Sequence, residues 1–300
     1  LGLQFVVPPF HAIMLARIMI LAAYAIGYNL LLGYTGLMSL GHAMFFASGM
    51  YATGLGVFYL EFGGVQAFAI GVAASLGVAA GIGLMALRTG GVSFLIVTMM
   101  FSQVFYLSTL YFNEITMGDQ GFILSGRLRP LELGGAQLAF SEPVVKYNLA
   151  LVVFGLCFLF SLWLARSPIG RVLVAIRENE ERTRLLGYNT FGYKLLALVI
   201  SGGISGAGGS AYTLLFSYVG SSFASVLYSI YPLLWTLLGG AGTTVGPLVG
   251  AFAMTYMVDI ASGITASYLI VVGITLVVLV MWFPAGVVGG IRTRWASWLP

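Results

Sequence analysis

Few side chains in this 300-residue chain could hold a metal ion or a phosphate. His11, His42 and Cys157 are its nitrogen and sulfur ligands of the usual kind, and no H-E-x-x-H motif is present. A Walker A loop needs a lysine directly after a glycine, but Lys146 follows a valine and Lys194 follows a tyrosine. The sequence therefore predicts no cofactor, no catalysis and no nucleotide hydrolysis on this chain.

Two glycine-rich segments are a second feature of functional interest, because both interrupt long apolar tracts. LLLGYTG at 30–36 returns as TLLGGAG at 236–242, with four of seven letters unchanged. Helices broken at membrane depth are tolerated only where the freed backbone groups are buried in protein or line an aqueous cavity. In secondary transporters such breaks recur in two structural repeats, with the substrate pathway between them. We therefore predict helix breaks at 33–41 and 239–246, related by an internal repeat. The alternative is that these glycines only allow close helix packing.

The predicted substrate pathway consists of the small and polar residues of these two broken-helix segments. His42 either lines the pathway or hydrogen-bonds a carbonyl freed by the break. Pro247 fits the first turn of the helix after the second break, where an amide hydrogen has no intrahelical partner. The full set is Asn29, Gly33, Thr35, Gly36, Ser39, Gly41 and His42 in the first segment, and Gly239, Gly240, Gly242, Thr243, Thr244, Gly246 and Pro247 in the second.

The composition identifies the elements that must position these residues as membrane-spanning helices. Hydrophobic residues make up 60% of the chain and charged residues 7%, and the mean hydropathy is +1.01. No charged residue occurs between Arg17 and Glu61, and about 20 apolar residues suffice to cross a bilayer as a helix. We predict one all-α polytopic membrane domain over 1–300, with roughly 8–10 spans. The apolar tracts are 11–32, 37–59, 65–87, 92–112, 147–165, 195–215, 229–259 and 265–283.

The loop at 166–194 carries six of the thirteen basic residues, which predicts that it is cytoplasmic. The polar segment at 113–146 is then periplasmic. Counting spans forward from the basic loop would place the basic C-terminal segment at 292–294 outside as well. The positive-inside rule disfavours that position, unless the tract at 229–259 consists of two pieces. The charges of the loops, which we call charge parity when they are combined with the number of spans between them, thus predict a break in that tract independently of its glycines. Asp259 is interpreted as an interfacial residue at the inner end of a span.

The basic loop also has the pattern of short amphipathic helices. Pro168 and Gly170 open it, apolar residues recur at helical spacing between charged ones, and Gly187 closes it. Such an element can bind in a partner's groove or rest on lipid headgroups. Because the basic residues concentrate in this loop, the net charge of +4 does not predict nucleic-acid binding.

Three segments resemble one family over residues 10–290. NLLLGYTGLMSLGHAMFFASGMYATG, GRVLVAIRENEERTRLLGYNTFGYKLLALVISGGISGAGGSAY and LLGGAGTTVGPLVGAF are similar to the LivM-type permeases of bacterial branched-chain amino-acid ABC importers, and to the related urea permeases. The resemblance implies a multi-pass subunit of the bacterial inner membrane, embedded in membrane lipid. It also implies a second, LivH-like permease subunit, two ABC ATPase subunits and a periplasmic substrate-binding protein.

The resemblance implies a function and a coupling element. The expected substrates are branched-chain or other hydrophobic amino acids; the alternatives are urea, short-chain amides or other small organic acids. An intramembrane enzyme and a structural or sensor membrane protein are the other classes considered. Glu181-x5-Gly187 resembles the E-A-A-x-x-x-G loop that docks on the ATPase, although Arg182 and Thr183 replace the two alanines and the later I-x-L-P is missing. The implied coupling residues are Arg177, Glu178, Glu181, Arg182, Leu185, Leu186 and Gly187.

Overall fold

The computed structural model describes residues 8–133, 136–138, 140, 142–265, 267–282 and 286–294, and it is predominantly α-helical there. The fold class predicted from composition is confirmed. The helices are α1 (Pro9–Asn29), α2 (His42–Leu60), α3 (Gly64–Ala86), α4 (Val92–Tyr111), α5 (Asn113–Thr116), α6 (Pro143–Arg166), α7 (Pro168–Glu178), α8 (Glu180–Leu185), α9 (Thr190–Phe216), α10 (Val226–Gly239), α11 (Gly246–Ile264), α12 (Tyr268–Trp282) and α13 (Gly286–Arg294).

Seven helices in the described ranges are long and apolar enough to cross a membrane, and each overlaps a predicted span. The shorter apolar helices α10 and α12 bring the number of candidate crossings within the predicted range. The tract at 229–259 is divided between α10 and α11, as charge parity required. The second tract was predicted to start at residue 37, but α2 begins only at His42, since the glycine-containing connection at 36–41 is not helical.

The central helix is α9, which packs against α1, α2 and α3. Its small residues allow this because neighbouring backbones fill the space that larger side chains would need. A Cβ on Gly209 would overlap the carbonyl oxygen of Phe46, and one on Gly206 would overlap Ser75. Ser75 in turn donates a 2.7 Å hydrogen bond to the carbonyl of Gly202. These small residues of α3 and α9 therefore form the contact between the two helices.

The two long polar segments lie at opposite ends of α9. Strand β1 (Phe122–Ile123) pairs antiparallel with β4 (Tyr218–Val219), which follows the last residue of α9. The described part of the same segment also contains a hairpin of β2 (Leu131–Leu133) and β3 (Ala136–Leu138). In contrast, α7 and α8 directly precede the first residue of α9. The bundle therefore separates the segment at 113–146 from the loop at 166–194.

Asp259 is exposed near the C-terminal end of α11, consistent with an interfacial position. It does not lie at the α7 end of the bundle, however. α11 starts at the second break and runs away from α7, and its Tyr256 stacks on His11 near the start of α1, with ring centroids 6.5 Å apart. Asp259 was predicted on the same side as the loop at 166–194. This was wrong because the tract before Asp259 contains two helices that run in opposite directions.

Candidate functional site

The first predicted break is present. A π-helical turn at Leu30–Tyr34 extends α1, after which the chain leaves the helix. Gly36 adopts a φ of +74°, a conformation that glycine reaches without strain. Thr35 donates a hydrogen bond to the carbonyl of Leu30 at 3.1 Å, which satisfies one of the groups that the break leaves exposed.

The second predicted break is also present, between α10 and α11. Gly240 and Gly242 have φ of +119° and +77°. The Thr243 hydroxyl donates to the carbonyl of Gly240 at 2.8 Å and accepts from the amide of Gly246 at 3.1 Å. Pro247 lies in the first turn of α11, as predicted. The internal repeat that relates the two breaks stays a prediction.

Asn29 joins the two breaks to each other. Its side-chain NH₂ donates to the carbonyl of Thr243 at 2.9 Å, and its side-chain oxygen accepts from the amide of Gly242 at 2.9 Å. Asn29 is only 1% exposed; its bond to Thr243 is buried and its bond from Gly242 is partly buried. Close approach depends on Gly33, where a Cβ would overlap the backbone nitrogen of Gly242. Segments more than 200 residues apart in sequence are thus held backbone to backbone by one amide side chain.

We expect Asn29→Ala to destabilise the protein. The change leaves the buried carbonyl of Thr243 and amide of Gly242 without partners, and each unsatisfied group costs about 1–3 kcal/mol. Thermal unfolding in detergent should show a clearly lower midpoint. Asn29→Asp is the matched comparison, since its carboxylate still accepts from Gly242 but cannot donate to Thr243. An Asn29→Ala midpoint equal to that of the unmutated protein would contradict this role.

His42 is fully buried at the start of α2 and lies between Tyr28 and Phe45. Its Nε2 is 2.7 Å from the Ser201 hydroxyl, which donates to the carbonyl of Gly27 at 2.5 Å. Because the serine hydrogen is used there, Nε2–H of His42 is the donor. The predicted bond to a freed carbonyl is wrong, because this serine stands between the histidine and the carbonyl. Whether His42 lines the pathway stays a prediction.

The start of α2 lies deep within the bundle. Its contact residue Ser201 is about 16 Å along α9 from Thr190, at about 1.5 Å rise per residue. The connection between α1 and α2 therefore re-enters the protein before α2 starts. The polar residues of both breaks are buried there, as membrane depth requires; they are Asn29, Thr35, Ser39, His42, Thr243 and Thr244.

Arg177, from the predicted coupling set, contacts the first break. Its guanidinium donates a hydrogen bond to the carbonyl of Gly33. A Cβ on Gly36 would lie 2.8 Å from the Arg177 side chain, and one on Gly242 would lie 3.0 Å from it. The last turn of α7 therefore lies against both glycine segments. At this residue, the structure thus brings the predicted coupling residues into contact with the predicted substrate pathway.

The predicted amphipathic helices are present as α7 and α8. Ser167 and Asn179 cap their N-termini by accepting backbone hydrogen bonds. Leu173 and Ile176 of α7 are buried. The other predicted coupling residues are exposed, and they are Glu178, Glu181, Arg182, Leu185, Leu186 and Gly187.

An ion pair fixes α8 to the central helix. Lys194 of α9 lies 2.5 Å from the carboxylate of Glu180, and the lysine side chain is mostly buried. The predicted coupling loop is thus attached to the bundle at α7 and at α8.

Arg17 is the residue that sequence reasoning passed over. It lies within α1, in a helix that can cross the membrane, and it is exposed. The available signal was an ionisable residue inside the predicted span 11–32, because such residues are costly in membranes and mark functional sites.

Comparison with known proteins gives consistent matches. The family model described as branched-chain amino acid transport system / permease component matches residues 11–281. The high-affinity branched-chain amino acid transport system permease protein LivM of Escherichia coli strain K12 is 27% identical over 288 residues, which cover 89% of this chain and 67% of that protein. LivM of Salmonella typhimurium is 26% identical over 286 residues, with the same coverage. A probable branched-chain amino acid transport permease protein LivM of Methanocaldococcus jannaschii is 31% identical over 103 residues, or 34% of this chain and 30% of that protein. No solved structure matches the chain significantly.

Proposed function

The chain belongs to the family of permease components of branched-chain amino acid transport systems, and we propose that it is the membrane subunit of an ABC importer for branched-chain or other hydrophobic amino acids. It is a multi-pass membrane protein. On this proposal, ATP is hydrolysed by two partner subunits, a periplasmic protein delivers the substrate, and the complex lies in the bacterial inner membrane.

The observation that carries the proposal is the contact of Arg177 with the backbone of the first break. Asn29 extends this connection to the second break. A displacement of α7 would therefore act directly on the two segments proposed to line the pathway. Because these segments are buried against each other, a substrate that passes between them requires them to separate. ATP-driven movement of α7 and α8 supplies that displacement on this proposal.

An exposed face of α4 supports a second membrane subunit. Ile96, Met100, Gln103 and Leu107 are exposed, with the 4-3-4 spacing of a helix–helix seam. Gln103 lies near the middle of α4, and its side chain has no hydrogen bond within the described part of the chain. A polar amide at this depth favours a hydrogen-bonding partner on a neighbouring helix. On the proposal, that helix belongs to a LivH-like permease.

Single cysteines should establish the proposed orientation. Ser125 and Glu181 are exposed at opposite ends of the bundle, whereas the native Cys157 is buried and can be replaced by serine. We expect Ser125→Cys to react with an impermeant maleimide added outside intact cells. Glu181→Cys should react only after the cells are opened. Labelling of both positions in intact cells would refute the assignment of 166–194 to the cytoplasm.

Reconstitution tests the function. The chain, its second permease and its ATPases would be assembled in liposomes with the binding protein outside, and uptake of L-leucine, urea and acetamide would be measured. We expect ATP-dependent uptake of leucine. ATP-dependent uptake of urea or acetamide alone would favour the urea-permease alternative. The absence of any uptake by an intact complex would favour the structural or sensor class.

A further inference from the structure

A groove with an apolar lining lies on the flank of the bundle, between α3 and α6. Both helices pack against the central helix α9, whereas they make almost no contact with each other. α9 therefore forms the floor of the groove, where Gly203 and Ala207 have little or no side chain to fill it. The volume of the groove is about 540 Å³. This lies within the range of roughly 300–1,000 Å³ that is usual for small-ligand pockets.

The groove opens towards the membrane. Val152 and Leu156 on its α6 side are exposed, and so is Val65 on its α3 side. All three residues lie in helices that are long and apolar enough to cross a membrane. The medium at the opening is therefore hydrocarbon rather than water. Either a lipid chain or an apolar helix of another protein can fill a groove in this position.

The dimensions of the groove favour a single acyl chain. Between its lining residues Leu149 and Phe160, α6 rises about 16 Å. One leaflet contributes about 15 Å of hydrocarbon, which is half of the bilayer core. The lining residues of α3 lie in its first half, at 64–76, and those of α9 lie mostly in its second half, at 200–215. The groove thus belongs to one leaflet, at the end of the bundle that carries the segment at 113–146.

A transmembrane helix fits the groove less well. A helix about 10 Å wide fills roughly 1,300 Å³ over a length of 16 Å, which is more than twice the volume of the groove. No residue of α4 lines the groove, so the face of α4 that is proposed to contact a second permease lies elsewhere. A lipid chain is therefore the occupant that agrees with both the size and the position of the groove.

A cation lies at one end of the groove. Lys146 is one turn of α6 before Leu149, and the spacing 146, 149, 153, 156 and 160 places it on the helix face that lines the groove. Its ammonium is 5.7 Å from the centroid of the Phe216 ring, beside the lining residue Leu215. Within the described residues no carboxylate forms an ion pair with Lys146. A lysine near the end of a membrane helix extends its charge to the level of the headgroups.

We propose that this groove binds one acyl chain of an anionic phospholipid, whose phosphate accepts a hydrogen bond from Lys146. Such a bond is charge-assisted on both sides, and the chain occupies the space that α3 and α6 leave open over α9. The bound lipid connects two helices that otherwise meet only through α9. The site does not depend on the proposed transport function, because its evidence comes from other residues.

A photoactivatable lipid tests the site. The full chain is purified with the subunits that accompany it and is placed in phosphatidylcholine nanodiscs. These contain increasing fractions of phosphatidylglycerol that carries a diazirine in its acyl chain. After illumination, mass spectrometry of peptides locates the adducts and gives the probe fraction at which labelling of the groove is half-saturated. A phosphatidylcholine probe with the same chain isolates the contribution of the headgroup charge.

We expect saturable labelling of the lining residues at 149–160 and 200–215. Lys146→Gln should raise the half-saturating fraction of the phosphatidylglycerol probe about fivefold, the usual contribution of one basic residue near an anionic membrane surface. It should change that of the phosphatidylcholine probe less, and Lys146→Arg should keep both values. Val152→Trp should abolish labelling of the groove by filling it. Ile70→Trp is the matched control, because Ile70 is exposed on α3 but does not line the groove.

Labelling that rises linearly with probe fraction, and is as strong around Ile70 as in the groove, would overturn the proposal in favour of bulk lipid. Equal half-saturation in Lys146→Gln and the unmutated protein would overturn the phosphate contact. Val152→p-benzoylphenylalanine, illuminated in native membranes, identifies any other occupant, and an adduct with a polypeptide instead of a lipid would also overturn the proposal. Thermal unfolding confirms that each variant is folded, and Lys146→Gln still decides the matter if Val152→Trp is not.

Discussion

Leu185→Asp is expected to detach the ATPase subunits from the purified complex and to abolish ATP-driven uptake. Leu185 is 82% exposed and the adjacent Leu186 is 72% exposed, beside the charged residues of α8. Removal of a buried apolar anchor from an interface commonly costs about 2 kcal/mol or more, which is roughly a thirtyfold loss of affinity. A carboxylate at this position adds a desolvation cost on docking. The measurements are co-purification of the ATPases and solute-stimulated ATP hydrolysis in liposomes.

Arg184→Ala is the matched control, because this neighbour is also exposed on α8. Charges at the rim of an interface contribute little, so the variant should keep nearly full coupling. Both variants should leave thermal unfolding of the bundle unchanged, since neither side chain is buried. If Leu185→Asp retains its ATPases and its stimulated hydrolysis, α8 is not the docking element and the E-x5-G similarity was misleading.

Gly239→Ala is expected to destabilise the second break and to abolish transport. A Cβ here would overlap the carbonyl oxygen of Gly246, which is a backbone atom, so no side-chain rotation relieves the clash. Overpacking of this kind costs about 1–3 kcal/mol and occasionally more. The loss should appear as a lower midpoint of thermal unfolding and as lost uptake by the reconstituted complex.

Gly77→Ala provides the comparison, because a Cβ at this α3 position meets nothing within 4 Å. Alanine is also the better helix former, so this variant should be as stable as the unmutated protein or slightly more stable. Full transport and an unchanged midpoint in Gly239→Ala would show that α10 and α11 do not need the close approach at this glycine.

Both breaks could be predicted because their causes are local. Glycines that interrupt apolar tracts, a proline at the first turn of a helix and the charge parity of the loops are all readable in sequence. The π-helical turn at Leu30–Tyr34 could not be predicted, because the same letters also suit a regular α-helix. The predicted start of α2 was early for a related reason, since Leu37 and Met38 are as apolar as the helix that follows.

The contacts within the site could not be predicted. Asn29 is one polar residue among many, and its two partners lie more than 200 positions away along the chain. Arg177 could be placed in the basic loop at 166–194, but its contact with Gly33 depends on how α7 packs against the end of α1.

The contact of Arg177 with Gly33 has a thermodynamic consequence. If docking of the ATPases shifts the equilibrium between joined and separated breaks, then separation of the breaks must change the affinity for the ATPases by the same factor. A solute that binds between the breaks would therefore alter ATPase docking. Loss of this one guanidinium would weaken the effect equally in both directions. In Arg177→Gln, the affinity for the ATPases would then depend less on the solute.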